Sequence, residues 1–220
     1  MNILVVGSPE DHSAFQAKFT AEHNYEYVYD LSPGAGLHGF DAVFDFTVGD
    51  QPEQMEAYTA WNDLSVFVNA PKISLGELAY YQDEMECKLF GFNGLPTFLQ
   101  RDILEVSCFD EADAPQLHEV CKALDTDYEL VQDRVGMVTP RIIFMIINEA
   151  YYTLQEGTAT KADIDQGMKL GTNYPHGPFE WCDLIGIDHV YETLEALYED
   201  TKEDRYKICP LLKQAYLRRA

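Results

Sequence analysis

Residues 136–187 read GMVTPRIIFMIINEAYYTLQEGTATKADIDQGMKLGTNYPHGPFEWCDLIGI, and the punctuation of this stretch decides what the chain folds into. Pro140 is tolerated at a first helical position, where its missing N–H would have no partner in any case. With Thr139 before it as the cap, a helix is expected over 139–157, stopping at Gly157. Thr160 and Asp163 have the spacing of a capping box for a second helix, which Gly171 can end in the left-handed conformation. Gly177-Pro178 opens a third helix through Leu184, closed by Gly186, and Asp188 can cap a fourth. In the first helix, Ile142, Ile143, Phe144, Met145, Ile146 and Ile147 are apolar without interruption, so burial on all sides is expected. Such a helix is either the core of a monomer or meets its own core on one side and a partner subunit or second domain on another.

At 220 residues the chain can bury a good core in one or two domains. No stretch is long and apolar enough to cross a membrane, and MNILVVGSPE lacks the basic lead of a signal or transit peptide. A cytoplasmic protein is expected. Cys87, Cys108, Cys121, Cys182 and Cys209 show no metal spacing and read as buried thiols. Split at a boundary near Asp133, residues 1–133 hold 5 Lys+Arg against 25 Asp+Glu, a net of −20, and residues 134–220 hold 10 against 13, a net of −3. A field of that sign opposes nucleic acid and anionic membrane, and handicaps a pyrophosphate dinucleotide or a coenzyme A. Solvated acidic faces that keep a protein in solution would look the same.

The run Asn2 to Gly7, NILVVG, starts a βα unit with a buried parallel strand. A dinucleotide-binding turn would continue GxGxxG, whereas this chain continues Gly7-Ser8-Pro9-Glu10-Asp11-His12. Pro9 takes the second glycine's place and removes an N–H. His12 takes the third, where helix and strand pack closely. Glu10 and Asp11 fall in the first helical turn and occupy electrostatically the place where a phosphate would bind. Strands are expected over 25–29, 41–47, 65–69, 88–92 and 127–132, and helices over 52–61, from 74 and over 113–124. Asp30, after the second strand, lies where an acid could meet a ribose hydroxyl. A Gly/Pro-punctuated loop, LSPGAGLHGF, joins the second and third strands.

The order NEA, LQEGTAT, ADIDQGMKLGTNYP, GPFEWCDLIGID and DRYKICPLLKQ resembles the C-terminal domain of the 3-hydroxyacyl-CoA dehydrogenase family. The resemblance implies an α/β fold, a shortened Rossmann-like doubly wound parallel sheet (1–133), followed by an all-α domain like the C-terminal domain of 6-phosphogluconate dehydrogenase (134–220). In that family the helical domain forms the dimer interface and closes one side of the active-site cleft, and NAD is the cofactor. A homodimer through the C-terminal helices and an acyl-CoA-like small molecule are the implied partners, with no nucleic acid and no membrane.

The same resemblance locates the family's site in this chain. The helical segment that holds the coenzyme A end of the substrate in the family is absent between the second and third strands. The family's Asn-Thr-Ser-Ser becomes Asn69-Ala70-Pro71-Lys72, which keeps the asparagine and loses both hydroxyls. Counting back from Leu104-Glu105-Val106 puts Asn93 at the catalytic histidine, and an amide cannot accept the proton of a 3-hydroxyl. Glu105 matches the carboxylate that orients that histidine. The family's Asn-Arg pair is Pro140-Arg141 here. His176 replaces a methionine in a loop that faces the cleft in the family, where it is either a relocated base or an imidazole bonded to backbone or solvent. Candidate site residues are thus Glu105 and His176 for catalysis, Gly7 and Asp30 for a cofactor, and Asn69 for substrate. The preferred reading is a relative without NAD or catalysis that acts as a dimeric binding or regulatory protein. An active NAD-dependent 3-hydroxyacyl-CoA dehydrogenase is the alternative, and an enzyme of another class using His176, Glu105 and Asn93 a third.

Overall fold

The computed structural model describes residues 1–31, 34 and 36–219, so the loop LSPGAGLHGF lies partly outside the described residues, at Ser32, Pro33 and Ala35. Two compact units follow one another, Met1–Met137 and Val138–Ala220. The first runs four residues beyond the expected boundary at Asp133 because the connector is tied into it: Gly136 N–H donates to Pro71 O at 2.7 Å.

In the first unit, chain order gives β1 (Asn2–Val6), α1 (Pro9–Lys18), β2 (Asn24–Val28), β3 (Ala42–Asp45), β4 (Ser65–Asn69), α2 (Leu75–Tyr80), β5 (Lys88–Phe92), β6 (Ile103–Cys108), α3 (Ala114–Ala123) and β7 (Asp127–Leu130). They make one seven-stranded sheet in the order β2-β1-β3-β4-β5-β6-β7. All pairs are parallel except β5 with β6, where β6, a strand not among those expected, runs antiparallel within the doubly wound parallel sheet. The helix expected over 52–61 is a short 3-10 helix, Pro52–Ala57.

Side-chain alternation sorts the strands' apolar residues onto two faces. Ile3, Val5, Phe44, Phe67, Phe90 and Phe92 pack with Phe15 and Phe19 around α1 and with Leu117 and Val120 of α3. Leu4, Val6, Val43, Val66, Val68 and Leu89 pack with Met55 and Tyr58, and with Leu75 and Leu78 of α2. The first face is built from stacked phenylalanines: Phe44 and Phe67 lie 4.5 Å apart between centroids, and Phe67 and Phe90 4.9 Å. Each such pair adds about 0.5–1.5 kcal/mol beyond its burial.

The second unit holds α4 (Thr139–Gln155), α5 (Lys161–Thr172), α6 (Pro178–Ile185), α7 (Ile187–Thr201) and α8 (Pro210–Leu217). Three caps differ from expectation. Val138, not Thr139, precedes α4, and it makes no side-chain cap bond. Asn173, at φ 58°, takes the left-handed position after α5 instead of Gly171. Asp188 lies inside the first turn of α7, where its carboxylate pairs with Arg219 at 3.1 Å. Thr160 caps α5 as expected, and Asp165 of α5 accepts the Phe179 and Glu180 N–H groups at 2.8 and 3.1 Å, closing the start of α6. Asn148, the first residue of NEA, is buried and bridges α4 to the segment before α8, donating to Lys207 O at 2.9 Å and accepting from Cys209 N at 2.8 Å.

The apolar run of α4 is not covered all round. Phe144 and Ile147 are fully buried and Ile143 nearly so, whereas Ile142 is 56% exposed. Among the cysteines Cys108 is only half-buried, and the other four are buried. Among the described residues no helix is long and apolar enough to cross a membrane. Ile143→Glu is expected to place an unpaired charge in the core of the helical unit and destabilise it by about 3 kcal/mol or more, against less than about 0.5 kcal/mol for Ile142→Glu in the monomer. Urea unfolding followed by circular dichroism measures both.

Candidate functional site

In an open α/β sheet ligands sit beyond the carboxyl ends of the strands, where strand order reverses. Here that point lies between β1 and β3, since β2 flanks β1 on the other side. At the end of β1, Ser8 caps α1 and Asp11 completes a reciprocal box. The Ser8 N–H and hydroxyl donate to Asp11 Oδ2 at 2.9 and 2.8 Å, and Asp11 N–H donates to Ser8 Oγ at 3.2 Å. A Cβ added to Gly7 would stand 3.0 Å from Asp11 Oδ2, so the carboxylate lies directly against the glycine. The first orphan donor of this helix end is therefore answered by the chain's own anion, and Pro9 supplies none. His12 packs toward the edge strand, its Nε2 3.0 Å from Val28 O and its ring 5.1 Å from Tyr27. Asp30 is exposed just beyond β2.

The ends of the next strands are closed in the same way. Asp45, the last residue of β3, is fully buried and accepts four hydrogen bonds: from Thr47 N–H at 2.6 Å, Thr47 Oγ1 at 2.7 Å, Val48 N–H at 3.1 Å and the Tyr58 hydroxyl at 2.5 Å. Burial pushes the Asp45 carboxyl upward and the four donors pull it back, while burial and the adjacent carboxylate raise Tyr58. Asn69, at the end of β4, accepts the Gly94 N–H at 2.9 Å. Lys72 reaches Asp50 at 2.6 Å with little of its side chain exposed, and Ser74 is committed to capping α2, accepting from Glu77 N–H. Neither lost hydroxyl of the family's segment is replaced by Ser74.

Asn93 and Glu105 lie against one another at the paired strands β5 and β6. Asn93 is 2% exposed, its N–H donates to Glu105 O at 3.1 Å, and its Nδ2 donates to Glu105 Oε2 at 3.3 Å. The carboxylate is thus oriented toward a side chain that offers a donor and no basic nitrogen.

His176 belongs to the helical unit, whereas Gly7, Asp30, Asn69, Asn93 and Glu105 belong to the sheet unit. Its Nδ1 stands 3.4 Å from Glu180 Oε1, and its ring lies 5.9 Å from Trp181. Lys169 on Glu180 Oε2 at 2.9 Å, the Gly177 N–H and His176 hold the Glu180 carboxyl down at about 2. Pro140 is buried, and Arg141 beside it donates to the Tyr206 hydroxyl at 3.1 Å. Among the described residues no group of three His, Cys, Asp or Glu side chains is placed to hold a metal.

Residues 136–219 match the family model described as 3-hydroxyacyl-CoA dehydrogenase, C-terminal domain. The helical unit is thus similar to the C-terminal domain of the 3-hydroxyacyl-CoA dehydrogenase family. The chain is 44% identical over 87 residues to the 3-hydroxyadipyl-CoA dehydrogenase of Escherichia coli K12, covering 40% of this chain and 18% of that protein. It is 32% identical over 143 residues to a 3-hydroxybutyryl-CoA dehydrogenase of Bradyrhizobium diazoefficiens, covering 64% of this chain and 48% of the relative. The chain therefore spans less than half the length of these two relatives. Among solved structures, FadB2 of M. tuberculosis superposes with a TM-score of 0.78 at 19% identity, over 99% of this chain and 93% of that one, a likeness of fold.

Two features of the site escaped the sequence reading. The Ser8–Asp11 box is written in Ser8-Pro9-Glu10-Asp11, which has the [ST]-x-x-[DE] spacing. The Asp45 cluster has no such signal, because Tyr58 lies 13 residues away and meets the carboxylate only through the fold. Asp45→Ala leaves buried donors without partners and is expected to cost about 3 kcal/mol or more, with Tyr58→Phe costing about 1–2 kcal/mol. Denaturant unfolding of the two variants and their double mutant reads the coupling; additive effects would show that the pair does not act as a unit.

Proposed function

We propose that this chain is a non-catalytic relative of that family, a homodimer through its helical unit that keeps a pocket for an acyl-CoA-like molecule without dinucleotide chemistry. The Asp11 carboxylate seated on Ser8 against Gly7 carries the reading. A pyrophosphate brought to that corner would meet a fixed anion and find its donor already taken, so the residues there do not suit NAD. Asn93 supports the same reading. The family's reaction needs a group that accepts a proton as hydride leaves, a contribution of about 10²–10⁴-fold, and an amide held by Glu105 does not accept one. The net charge of −20 on residues 1–133 adds a repulsive field for any dinucleotide.

The names of the relatives favour the alternative, an active NAD-dependent dehydrogenase, and one experiment separates the two readings. Calorimetric and thermal-shift titration with NADH, NAD and acetoacetyl-CoA is expected to give no saturable response to either dinucleotide and a saturable response to the CoA ester. Dinucleotide binding with NADH-dependent turnover of acetoacetyl-CoA would sink the proposal and direct attention to His176 as base. For the dimer, the exposed Ile142 on α4 is the support. Ile142→Glu is expected to convert the species seen by sedimentation velocity to a monomer with an unchanged fold; a wild-type chain that already sediments as a monomer at micromolar concentration would remove the dimer.

A further inference from the structure

The connector between the two units is not a free linker. Asp133 reaches back to the start of α2, its Oδ1 accepting Leu75 N–H at 2.8 Å and its Oδ2 accepting Gly76 N–H at 2.9 Å. Three residues on, Gly136 N–H donates to Pro71 O at 2.7 Å. The first attachment falls on the first turn of α2 and the second on the loop that joins β4 to α2, one on each side of Lys72 and Ser74. Between them Val135 is buried, and the segment ends in two consecutive left-handed residues, Gly136 at φ 81° and the buried Met137 at φ 44°. A left-handed methionine is uncommon and persists where its surroundings over-determine it. The first residue of α4, Thr139, follows two positions later.

We propose that residues 133–137 form a clamped strap that holds the segment from Pro71 to Gly76 as one cooperative element. The loop carries, beside Asn69, the residues that stand where the family places its substrate hydroxyl contacts. A ligand that shifts this segment would therefore displace the strap. The inference does not depend on whether NAD binds.

Hydrogen exchange of the full-length chain, read at single amides, tests the strap. Asp133→Ala is expected to speed exchange at Leu75 and Gly76 by about tenfold or more, and at Gly136 by a similar factor, although Asp133 does not touch Gly136. Asp133→Asn keeps an acceptor, gives a smaller rise at the same three amides, and answers the question if the alanine variant fails to fold. Amides of Phe44 and Phe67 in the sheet should keep their wild-type rates, showing an intact unit. Acceleration of Leu75 and Gly76 with Gly136 unchanged would show two independent attachments and overturn the strap; so would no change at any of the three.

Discussion

The carboxylate of Asp11 sits on the N–H of Ser8, and much of the sheet unit can be read from that contact. A parallel sheet delivers strand ends and helix starts to one edge, where backbone donors point outward with no intrinsic partner. In a ligand-binding relative such donors are left open, and the ligand's charge answers them. Here side chains of the chain itself answer them in turn: Asp11 after β1, Asp45 after β3 and Asn69 after β4. A buried donor left without a partner costs about 1–3 kcal/mol, so closing these positions stabilises the sheet without a bound molecule.

The same closure explains why the acidic excess of residues 1–133 can be accommodated. Several carboxylates are placed as acceptors of backbone N–H groups, where the negative charge is favourable, as at Ser8 for Asp11 and at α2 for Asp133. Others are solvated. The unit's own peptide donors thus take up charge that would otherwise only repel.

Much of this was legible in the sequence. Apolar runs such as NILVV and SVFVN fixed strands to within a residue, because a buried parallel strand needs both faces apolar. Thr160, Gly177-Pro178 and Gly186 marked helix ends because capping is local. The shortfalls are also physical. Asn173 took the left-handed position from Gly171 because an asparagine tolerates it and the helix ran one residue past the glycine, to Thr172. Six consecutive apolar residues in α4 promised burial all round, yet Ile142 is exposed in the single chain, since periodicity registers apolarity and not what covers it. Asp45 could not be picked from 38 acidic residues because its partner Tyr58 is distant in sequence. The two hydrogen bonds that Asp133 accepts from the first turn of α2 were hidden for the same reason.

The pair Asn93–Glu105 separates two roles that a histidine combines. An imidazole facing a carboxylate donates one N–H to it and keeps a basic nitrogen free for proton transfer. An asparagine preserves the first role, an N–H donor aimed at Glu105 Oε2, and abolishes the second. Replacement by an aliphatic residue would have left the partly buried Glu105 without this donor, a cost that falls on folding. An amide at this position therefore supplies the hydrogen bond that the partly buried carboxylate needs. The Pro9–Asp11 corner follows the same logic at the cofactor end, where a side chain supplies the anion that stabilises the helix start. Both corners satisfy locally, with the chain's own side chains, the hydrogen-bonding groups the fold presents there, as the buried Asn148 bridge does in the helical unit.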